Sequence, residues 1–574
     1  MSSEKTGNTS KAGQEGKYGD IASAPDRMDV VAPVLDHDLA VNGSDLEVDS
    51  EKAAVDVVAP QQHLRRRLKS RHIAFVGLGS GIGVGVFVGI GAALANSGPA
   101  GLLIAFLITG MVIWTVIQCI GEMATLFPVE GNFPHFVSRF VDPAMGLALG
   151  WNYWWNYAIS LAAELSAAAL IIQYWTDLSP AIWITVCFVP IIVLNYLPVN
   201  FYGEVEVVTC SIKVVALVGL LILGLIIDLG GTPSGDRIGF RYWQNPGAFA
   251  QYAANDFIVN GATGRFASFF TAFINAGYSY SGTETVVLTA AEASNPTKQI
   301  PKASKRVLYR ICLFNIGSAL IVGMVVPYTH PALLGGTGNA ASSPFVIAIK
   351  DAGIKVLPSI INAVILTSAW SAGNTFVYVS SRTLVGLAHG GAAPKCFKKV
   401  DKRGVPYWSV TLTLAMGALA YLSVGSGGAL EAFSWFQSMC ALAGILAWGV
   451  LNLAYIRMYA GLKAQGIDRN TDIPWKSALQ PYGAWFGMIV SFIIVIFSGF
   501  TVFIKGNWNT SSFFANYISL LIFVLPYIFF KFYWKTKAVS AKEMDLFSGR
   551  LDPSEEVPEK VPTTWYGKLG DKLF

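Results

Sequence analysis

The chain has 574 residues, of which 53 % are hydrophobic and 13 % are charged, about half the charged fraction of a soluble globular protein. This composition excludes a soluble enzyme and indicates a surface that faces lipid. The formal net charge of +5, from 41 basic and 36 acidic residues, is too balanced for a nucleic-acid-binding protein. The six cysteines show no CxxC spacing, so we expect neither a metal centre nor a disulfide framework.

Residues 1–62 are rich in Ser, Gly, Asp and Glu and have no sustained apolar period, which predicts a disordered tail. We expect no cleavable signal peptide, because Met1 opens onto polar residues. Lys5, Lys11 and Lys17 in this tail are candidate ubiquitin acceptors. Residues 536–574 form a second tail, and both tails are candidate contacts for ubiquitin ligases and endocytic adaptors.

Between residues 63 and 535, apolar runs recur at roughly the 20-residue length that crosses a bilayer core. They predict twelve membrane-spanning helices, numbered in chain order, at 73–94, 100–120, 144–173, 180–198, 205–228, 267–291, 307–327, 356–381, 406–425, 432–456, 480–503 and 512–533.

Basic residues give these spans an orientation, because Lys and Arg accumulate in cytoplasmic loops. Clusters at 65–71, 298–306, 395–403 and 457–476 all fall on one side of the twelve-span arrangement. Both termini are therefore predicted to be cytoplasmic. Asn509 begins a glycosylation sequon in the last outer loop.

The chain has no GxxxxGK[ST] motif for a nucleotide and no repeated pore-lining filter. We therefore expect a secondary transporter that is driven by an ion gradient.

The first span carries glycines at five alternate positions, from Gly77 to Gly85. Each glycine costs a helix about 1 kcal/mol relative to alanine, so we expect the helix to break here. Backbone that breaks at membrane depth is tolerated where it lines a cavity, and its N–H groups can hold a substrate carboxylate. The alternative is close helix packing through Gly77, Gly81 and Gly85. Gly79 and Gly83, on the other face, favour the break.

The sixth span is interrupted by small and polar residues at Tyr278-Ser279-Tyr280-Ser281-Gly282-Thr283-Glu284. Two interrupted helices that lie five spans apart are typical of inverted repeats, in which each half contributes its first helix to a site at the membrane midplane.

The two interrupted spans, together with several further motifs, make the chain resemble the fungal amino-acid permeases of the amino acid/polyamine/organocation superfamily. The matching motifs are the Gly-rich first span, Gly121-Glu122-Met123-Ala124, Tyr202-Gly203-Glu204-x-Glu206, Ser211-Ile212-Lys213, Gly282-Thr283-Glu284, Glu292-x-x-Asn295-Pro296, Ser371-Ala372-Gly373-Asn374, Ser381-Arg382 and Ile456-Arg457.

The resemblance implies an all-α fold with a five-plus-five inverted repeat, broken helices 1 and 6, and two extra C-terminal spans. It also implies proton-coupled uptake of an amino acid at the plasma membrane by a lipid-embedded protein that is not an enzyme and has no cofactor besides the coupling proton. One departure is that the family's Gly-Gly-Thr-Ile-Gly-Thr-Gly reads Gly79-Ser80-Gly81-Ile82-Gly83-Val84-Gly85 here. Backbone recognition of the carboxylate should survive this change.

Glu164 lies in the middle of the third span, in a polar stripe with Asn152, Asn156 and Ser160 at intervals of four residues. Such a stripe must face protein or water rather than lipid. A buried carboxylate there can accept the coupled proton or pair with the substrate ammonium, while the alternative is a simple hydrogen bond between helices.

Lys213 lies in the fifth span, and the resemblance places it where sodium-coupled relatives bind an ion. It is the second candidate for proton coupling. The alternative is a lysine that extends to the cytoplasmic interface near Glu206, two turns away.

The remaining site residues follow from the two breaks and from the resemblance. The predicted substrate-binding residues are Ser80, Gly81, Ile82, Gly83, Gly85, Glu164, Tyr278, Ser279, Tyr280, Gly282 and Cys440. The predicted gate or structural residues are Glu122, Glu284, Glu292 and Asn374.

Cys440, at a position that the family associates with side-chain selectivity, has no acidic neighbour within its span. This favours a neutral substrate, and the outer loop at 239–249 resembles that of proline permeases, so proline is the first candidate. A broad-range or basic amino-acid permease, a carrier of 4-aminobutyrate or choline, and a non-transporting amino-acid sensor on the same scaffold remain alternatives.

Overall fold

The computed structural model describes residues 75, 79, 81–127, 133–233, 235–254, 257–287, 296–334, 343–425, 428–504 and 506–550. The predictions for the N-terminal tail, Ser80, Glu292 and the residues after 550 lie outside this part of the chain.

Long apolar helices dominate the described residues. The first, α1 (Ile90–Leu126), follows a π-helical turn at Gly85–Gly89. It holds the end of predicted span one and all of span two, and it changes direction at Gly98, where φ is 73° and Pro99 follows. Five further helices follow: α2 (Phe133–Phe140), α3 (Pro143–Ile172), α4 (Pro180–Asn195), α5 (Val199–Asp228) and α6 (Gly261–Tyr280).

The chain goes on with α7 (Pro296–Arg310), which continues through a π-helical segment, Ile311–Ile316, into α8 (Gly317–Val325). The helices after it are α9 (Pro331–Leu334), α10 (Pro344–Asp351), α11 (Leu357–His389), α12 (Tyr407–Gly417), α13 (Gly428–Ala464), α14 (Arg469–Asp472), α15 (Tyr482–Phe497) and α16 (Thr510–Tyr533). Short 3₁₀ segments lie at Lys395–Lys398, Ala418–Val424 and Phe500–Phe503.

One short β-ribbon lies within the otherwise helical fold that the sequence predicts. Between α5 and α6, strands β1 (Tyr252–Ala254) and β2 (Phe257–Val259) pair antiparallel, with Ala253 opposite Ile258. The ribbon lies in a connecting segment, where its backbone groups bond each other instead of belonging to a spanning helix.

Helical residues occur within each of the twelve predicted ranges. Nine helices in the described part of the chain are long and apolar enough to cross a membrane. Predicted span four, α4, is apolar but shorter, and α6 is not among the nine. The helical, multi-pass character of the chain is therefore confirmed, while the number of spans stays a prediction.

Burial separates central helices from peripheral ones. In the most apolar 18-residue stretch of α3, 94 % is buried. Helix α3 packs against α4, α11, α13 and α16. The corresponding stretch of α16 is only 22 % buried, and large apolar side chains such as Phe532 are exposed on this helix. Exposed apolar surface on this scale is expected where a helix faces lipid.

Both predicted interruptions are present. Residues 81–83 are not helical, and helical structure resumes at Val84. Helix α6 ends at Tyr280, and a turn follows in which Gly282 has φ 82°, a left-handed conformation that glycine adopts without strain. Because α6 packs along α1 and its preceding turn, the two breaks lie in contacting parts of the fold.

Candidate functional site

The glycines of the first break leave room for side chains from neighbouring helices. A methyl group on Gly83 would lie 2.9 Å from Oε1 of Glu164, and one on Gly85 would lie 2.8 Å from the Cα atom of Ser279 in α6. Ordinary side chains do not approach this closely. The break therefore brings the backbone of the first span directly against the predicted proton site and against the second break.

Glu164 is 2 % exposed, in the middle of α3. Its Oε1 atom accepts a hydrogen bond of 3.0 Å from the Tyr278 hydroxyl. Its Oε2 atom has no hydrogen-bond partner among the described residues. A buried carboxylate oxygen without a partner is costly, and either a proton or a substrate ammonium would satisfy it.

The rest of the polar stripe also faces protein. Asn152, Asn156 and Ser160 are fully buried, and the Asn152 amide donates 2.8 Å to the carbonyl of Ala443 in α13. The Ser160 hydroxyl donates 2.7 Å to the carbonyl of Asn156 within α3. The stripe therefore directs Glu164 into the protein, as the sequence predicts.

Lys213 of α5 is fully buried, and its Nζ atom lies 3.7 Å from Oε1 of Glu206, which is also fully buried. The ammonium donates 3.3 Å to the carbonyl of Gly79 at the first break, and Oε2 of Glu206 accepts 2.7 Å from the Ser371 hydroxyl in α11. The alternative of a lysine that extends to the interface is therefore wrong. A methyl group on Gly79 would overlap the Glu206 carboxylate, so this pair also sits against the break.

Arg310, at the end of α7, is a site residue that the sequence analysis missed. Its guanidinium occupies the space beside Gly81, so a methyl group there would overlap it. Arg310, Gly81, Thr283 and Asn315 line a small cavity that touches both breaks and has about 10 Å³ of free space, the size of one water molecule. A signal was visible, because Arg310 falls inside predicted span seven and ionisable residues within spans are rare and functional.

The predicted aromatic and selectivity residues divide between two places. Tyr278 contacts Glu164, and its ring lies edge-on to Phe433 with centroids 6.1 Å apart. Cys440 is fully buried and lies close enough to Glu164 and Tyr278 to interact with both electrostatically. Tyr280 instead donates 2.9 Å to the carbonyl of Phe106 in α1, so it packs away from Glu164.

Glu122, near the end of α1, is the centre of a dense cluster. It is fully buried and accepts hydrogen bonds from the Tyr455 hydroxyl at 2.7 Å and from the backbone and side chain of Ser477, each at 2.6 Å. Arg469 of α14 completes the cluster as an ion-pair partner, and the hydrogen bond with Glu122 raises the pKa of Arg469. Glu122 is thereby joined to the loop that carries Arg469, a contact that is compatible with its predicted gate or structural role.

Two other predicted gate residues make single contacts between helices. Oε1 of Glu284, after the second break, accepts 3.1 Å from the Tyr157 hydroxyl in α3. Oδ1 of Asn374 in α11 accepts 2.7 Å from the Asn195 amide in α4. All three side chains of the Glu164, Glu284 and Asn374 set are buried, but only Glu164 contacts the first break.

A comparison with protein families decides the identity of this arrangement. The model of the amino acid permease family, described as "Amino acid permease", matches residues 72–542. The chain belongs to the amino acid permease family. The match begins before the first break and includes every described site residue named above, so the site lies inside the family domain.

Several curated permeases are similar to the chain over most of its length. The dicarboxylic amino acid permease of Saccharomyces cerevisiae is 39 % identical over 506 residues, 87 % of this chain and 82 % of the relative. The lysine-specific permease of the same yeast is 41 % identical over 511 residues, 89 % and 82 % of the two chains. The proline-specific permease of Emericella nidulans is 39 % identical over 523 residues, which cover 89 % of this chain and 93 % of the relative. These relatives are named as transporters, which indicates amino-acid transport rather than catalysis.

Proposed function

We propose that this permease is a proton-coupled amino-acid symporter with twelve spans and a five-plus-five inverted repeat. The buried contact between Glu164 and the first break carries the proposal. The substrate carboxylate binds backbone N–H groups that the break at 81–83 releases. The substrate amine meets carbonyls of the two breaks, with the Glu164 carboxylate beside them, and the substrate side chain faces Tyr278 and Cys440.

The proton binds at Glu164 or at the Lys213–Glu206 pair. Both contact the first break, at Gly83 and at Gly79, so a change of charge at either acts directly on the element that holds the substrate. One positive charge that moves inward through 100 mV contributes about 2.3 kcal/mol. That energy corresponds to an accumulation of roughly fifty-fold.

Proline is the first substrate to test. The wall near Cys440 offers Ala441 and Leu442, both buried, and within the described part of the chain Glu164 is the carboxylate that interacts with Cys440. Relatives of almost equal similarity are named for dicarboxylic, lysine and proline substrates, so similarity alone does not choose among them. Competition of labelled proline uptake by alanine, glutamate, lysine, arginine, 4-aminobutyrate and choline separates the neutral, acidic, basic and non-proteinogenic alternatives.

The coupling test uses purified full-length protein in sealed vesicles with labelled proline. An inward proton gradient and an inside-negative potential should each accelerate uptake and drive accumulation. Loss of the acceleration by the proton gradient in Glu164→Gln, with exchange of internal for external substrate retained, assigns the proton to Glu164. Retained acceleration assigns the proton to the Lys213–Glu206 pair. Glu543→Gln, at an exposed site, is the matched control and should behave as the unmodified protein.

Concentrative uptake that persists when both gradients are collapsed would contradict the symport proposal. Saturable binding without any flux would support the sensor alternative instead. We place the permease in the plasma membrane with both termini cytoplasmic, on the positions of the basic clusters. Ubiquitin-dependent turnover through Lys5, Lys11 and Lys17 is tested by replacing them with arginine, which should slow endocytosis.

A further inference from the structure

A second crevice opens where the end of α4 and the start of α5 meet α11. It is open at its mouth, has about 20 Å³ of free space inside, and shares no lining residue with the cavity at the two breaks. Its walls come from four segments of the chain, including the loop before α12. They combine apolar, aromatic and cationic side chains: Leu194, Tyr202, Tyr378, Arg382, Val405 and Val410.

Arg382 is the cationic centre of this crevice. Its guanidinium carbon lies 3.4 Å from the ring centroid of Tyr378, and Tyr378 stacks on Tyr202 with centroids 4.5 Å apart and planes 8° apart. One guanidinium nitrogen donates 3.3 Å to the Tyr378 carbonyl. Within the described residues Arg382 forms no ion pair with a carboxylate. A stacked, oriented guanidinium presents a planar fork of donors that matches the oxygens of a phosphate group.

The surroundings of the crevice are those of a membrane interface. Phe201, at the start of α5, is 59 % exposed, and Trp408, at the start of α12, is 46 % exposed. Lys402 and Arg403 are exposed on the adjoining loop. The nearby Asp401 carboxylate accepts backbone N–H groups of its own loop, from Arg403 at 2.8 Å and from Val405 at 2.9 Å. Cationic and apolar surfaces thus lie side by side at one edge.

We propose that an anionic phospholipid binds over the mouth of this crevice, with the lipid phosphate on Arg382. The exposed rings of Phe201 and Trp408 beside the mouth then contact an acyl chain. The loop from 395 to 403 carries five basic residues, which places this edge at the cytoplasmic leaflet, where anionic lipids concentrate. A free phosphate ion shares the head-group chemistry but gains nothing from the exposed rings. The inference depends on the proposed orientation and not on transport.

The test measures lipid binding to the purified full-length protein by native mass spectrometry. Phosphatidylserine and phosphatidylcholine with identical acyl chains are the probes. The unmodified protein should bind phosphatidylserine more tightly, and Arg382→Gln should weaken this binding about tenfold, because it removes a charge-assisted contact. Arg382→Lys should weaken it less, since it keeps the charge but not the planar fork. Lys399→Gln, an exposed lysine of the same loop, is the control and should leave the affinity unchanged.

Equal binding of the two lipids, or unchanged phosphatidylserine binding by Arg382→Gln, would overturn the proposal. Full competition by inorganic phosphate at a concentration equal to that of the lipid would assign the site to a free ion and would also overturn it. Thermal unfolding checks that each variant is folded. If Arg382→Gln does not fold, Tyr378→Leu replaces it, because loss of the stacking ring should lower phosphatidylserine affinity several-fold.

Discussion

At the first break, alternate glycines leave the space that three ionisable side chains occupy. Glu206, Arg310 and Glu164 come from three different helices and contact successive glycines of one short segment. Bare backbone lets these groups approach without strain. The glycine pattern that indicates a broken helix therefore also provides the space in which these charged side chains pack against the backbone.

Gly83→Ala should remove transport with a modest loss of stability. The added methyl group would lie 2.9 Å from the Glu164 carboxylate, and relief of such a clash costs about 1–3 kcal/mol. We expect proline uptake to fall at least tenfold. Gly219→Ala in α5 is the control, because nothing lies within 4 Å of a methyl group there; it should leave both uptake and thermal stability intact. Normal uptake by Gly83→Ala would show that the break does not bind Glu164 closely during transport.

Lys213→Met should destabilise the protein strongly. It leaves the buried Glu206 carboxylate without the ammonium 3.7 Å away, and loss of one partner of a buried ion pair costs about 3–5 kcal/mol. Lys213→Met/Glu206→Gln should recover most of the stability in denaturant unfolding, since both charges are then absent. Lys537→Met, at an exposed site, is the control. A double variant as unstable as the single one would mean that Glu206 is not the partner that matters.

At the scale of elements, short helices organise the face that is predicted to be cytoplasmic as much as the long helices do. Helix α2 packs along α3, and Arg139 of α2 donates to the carbonyls of Asp545 and Ser548 at 2.8 and 2.7 Å. Helix α14 is held in place by the ion pair between its Arg469 and Glu122 of α1. These contacts join loops that are distant in sequence.

Protonation of His135 in α2 should make the stability of the protein depend on pH. Burial, with help from Arg139, lowers the pKa of His135 to about 4, below its ordinary value of about 6.5. The folded state then binds fewer protons than the unfolded state between these values, so stability falls as the pH drops from 6.5 towards 4. The loss reaches about 2 kcal/mol at pH 5.

Thermal unfolding at pH 7.5 and pH 5.0 tests this component. His135→Phe introduces a ring that cannot be protonated. It should lose no hydrogen bond, because the ring nitrogens of His135 have no partner among the described residues. Its unfolding temperature should fall less between the two pH values than that of the unmodified protein. An equal fall in both proteins would assign the acid sensitivity to other groups.

At the scale of the whole molecule, the segment 534–550 after α16 connects helix ends at the face that is predicted to be cytoplasmic. Val539 donates 2.9 Å to the carbonyl of Val141, and the Gln465 amide donates 2.6 Å to the carbonyl of Met544. Met544 and Leu546 are 2 % and 1 % exposed. The segment therefore buries apolar side chains although it contains no regular helix or strand.

Leu546→Ala should lower the free energy of unfolding by about 2–5 kcal/mol, the usual cost of truncating a buried leucine. Phe547→Ala is the control, because Phe547 is 62 % exposed and should change stability little. Chemical denaturation in detergent measures both. Equal effects of the two substitutions would show that this segment is not packed as described.

The sequence alone determined the membrane class, the two breaks and the family, because lipid demands long apolar runs and because glycine or polar interruptions disturb helical periodicity locally. It also placed Glu164 and Lys213 inside spans, since an ionisable residue within an apolar run is visible without coordinates.

Only the tertiary structure decided which charges meet. The Lys213–Glu206 pair lies against Gly79, Arg310 fills the space beside Gly81, and Tyr280 turns away from Glu164. These outcomes depend on how separate helices rotate and approach one another. Sequence periodicity gives the apolar face of one helix, but it carries no information about which neighbour packs against that face or at what depth.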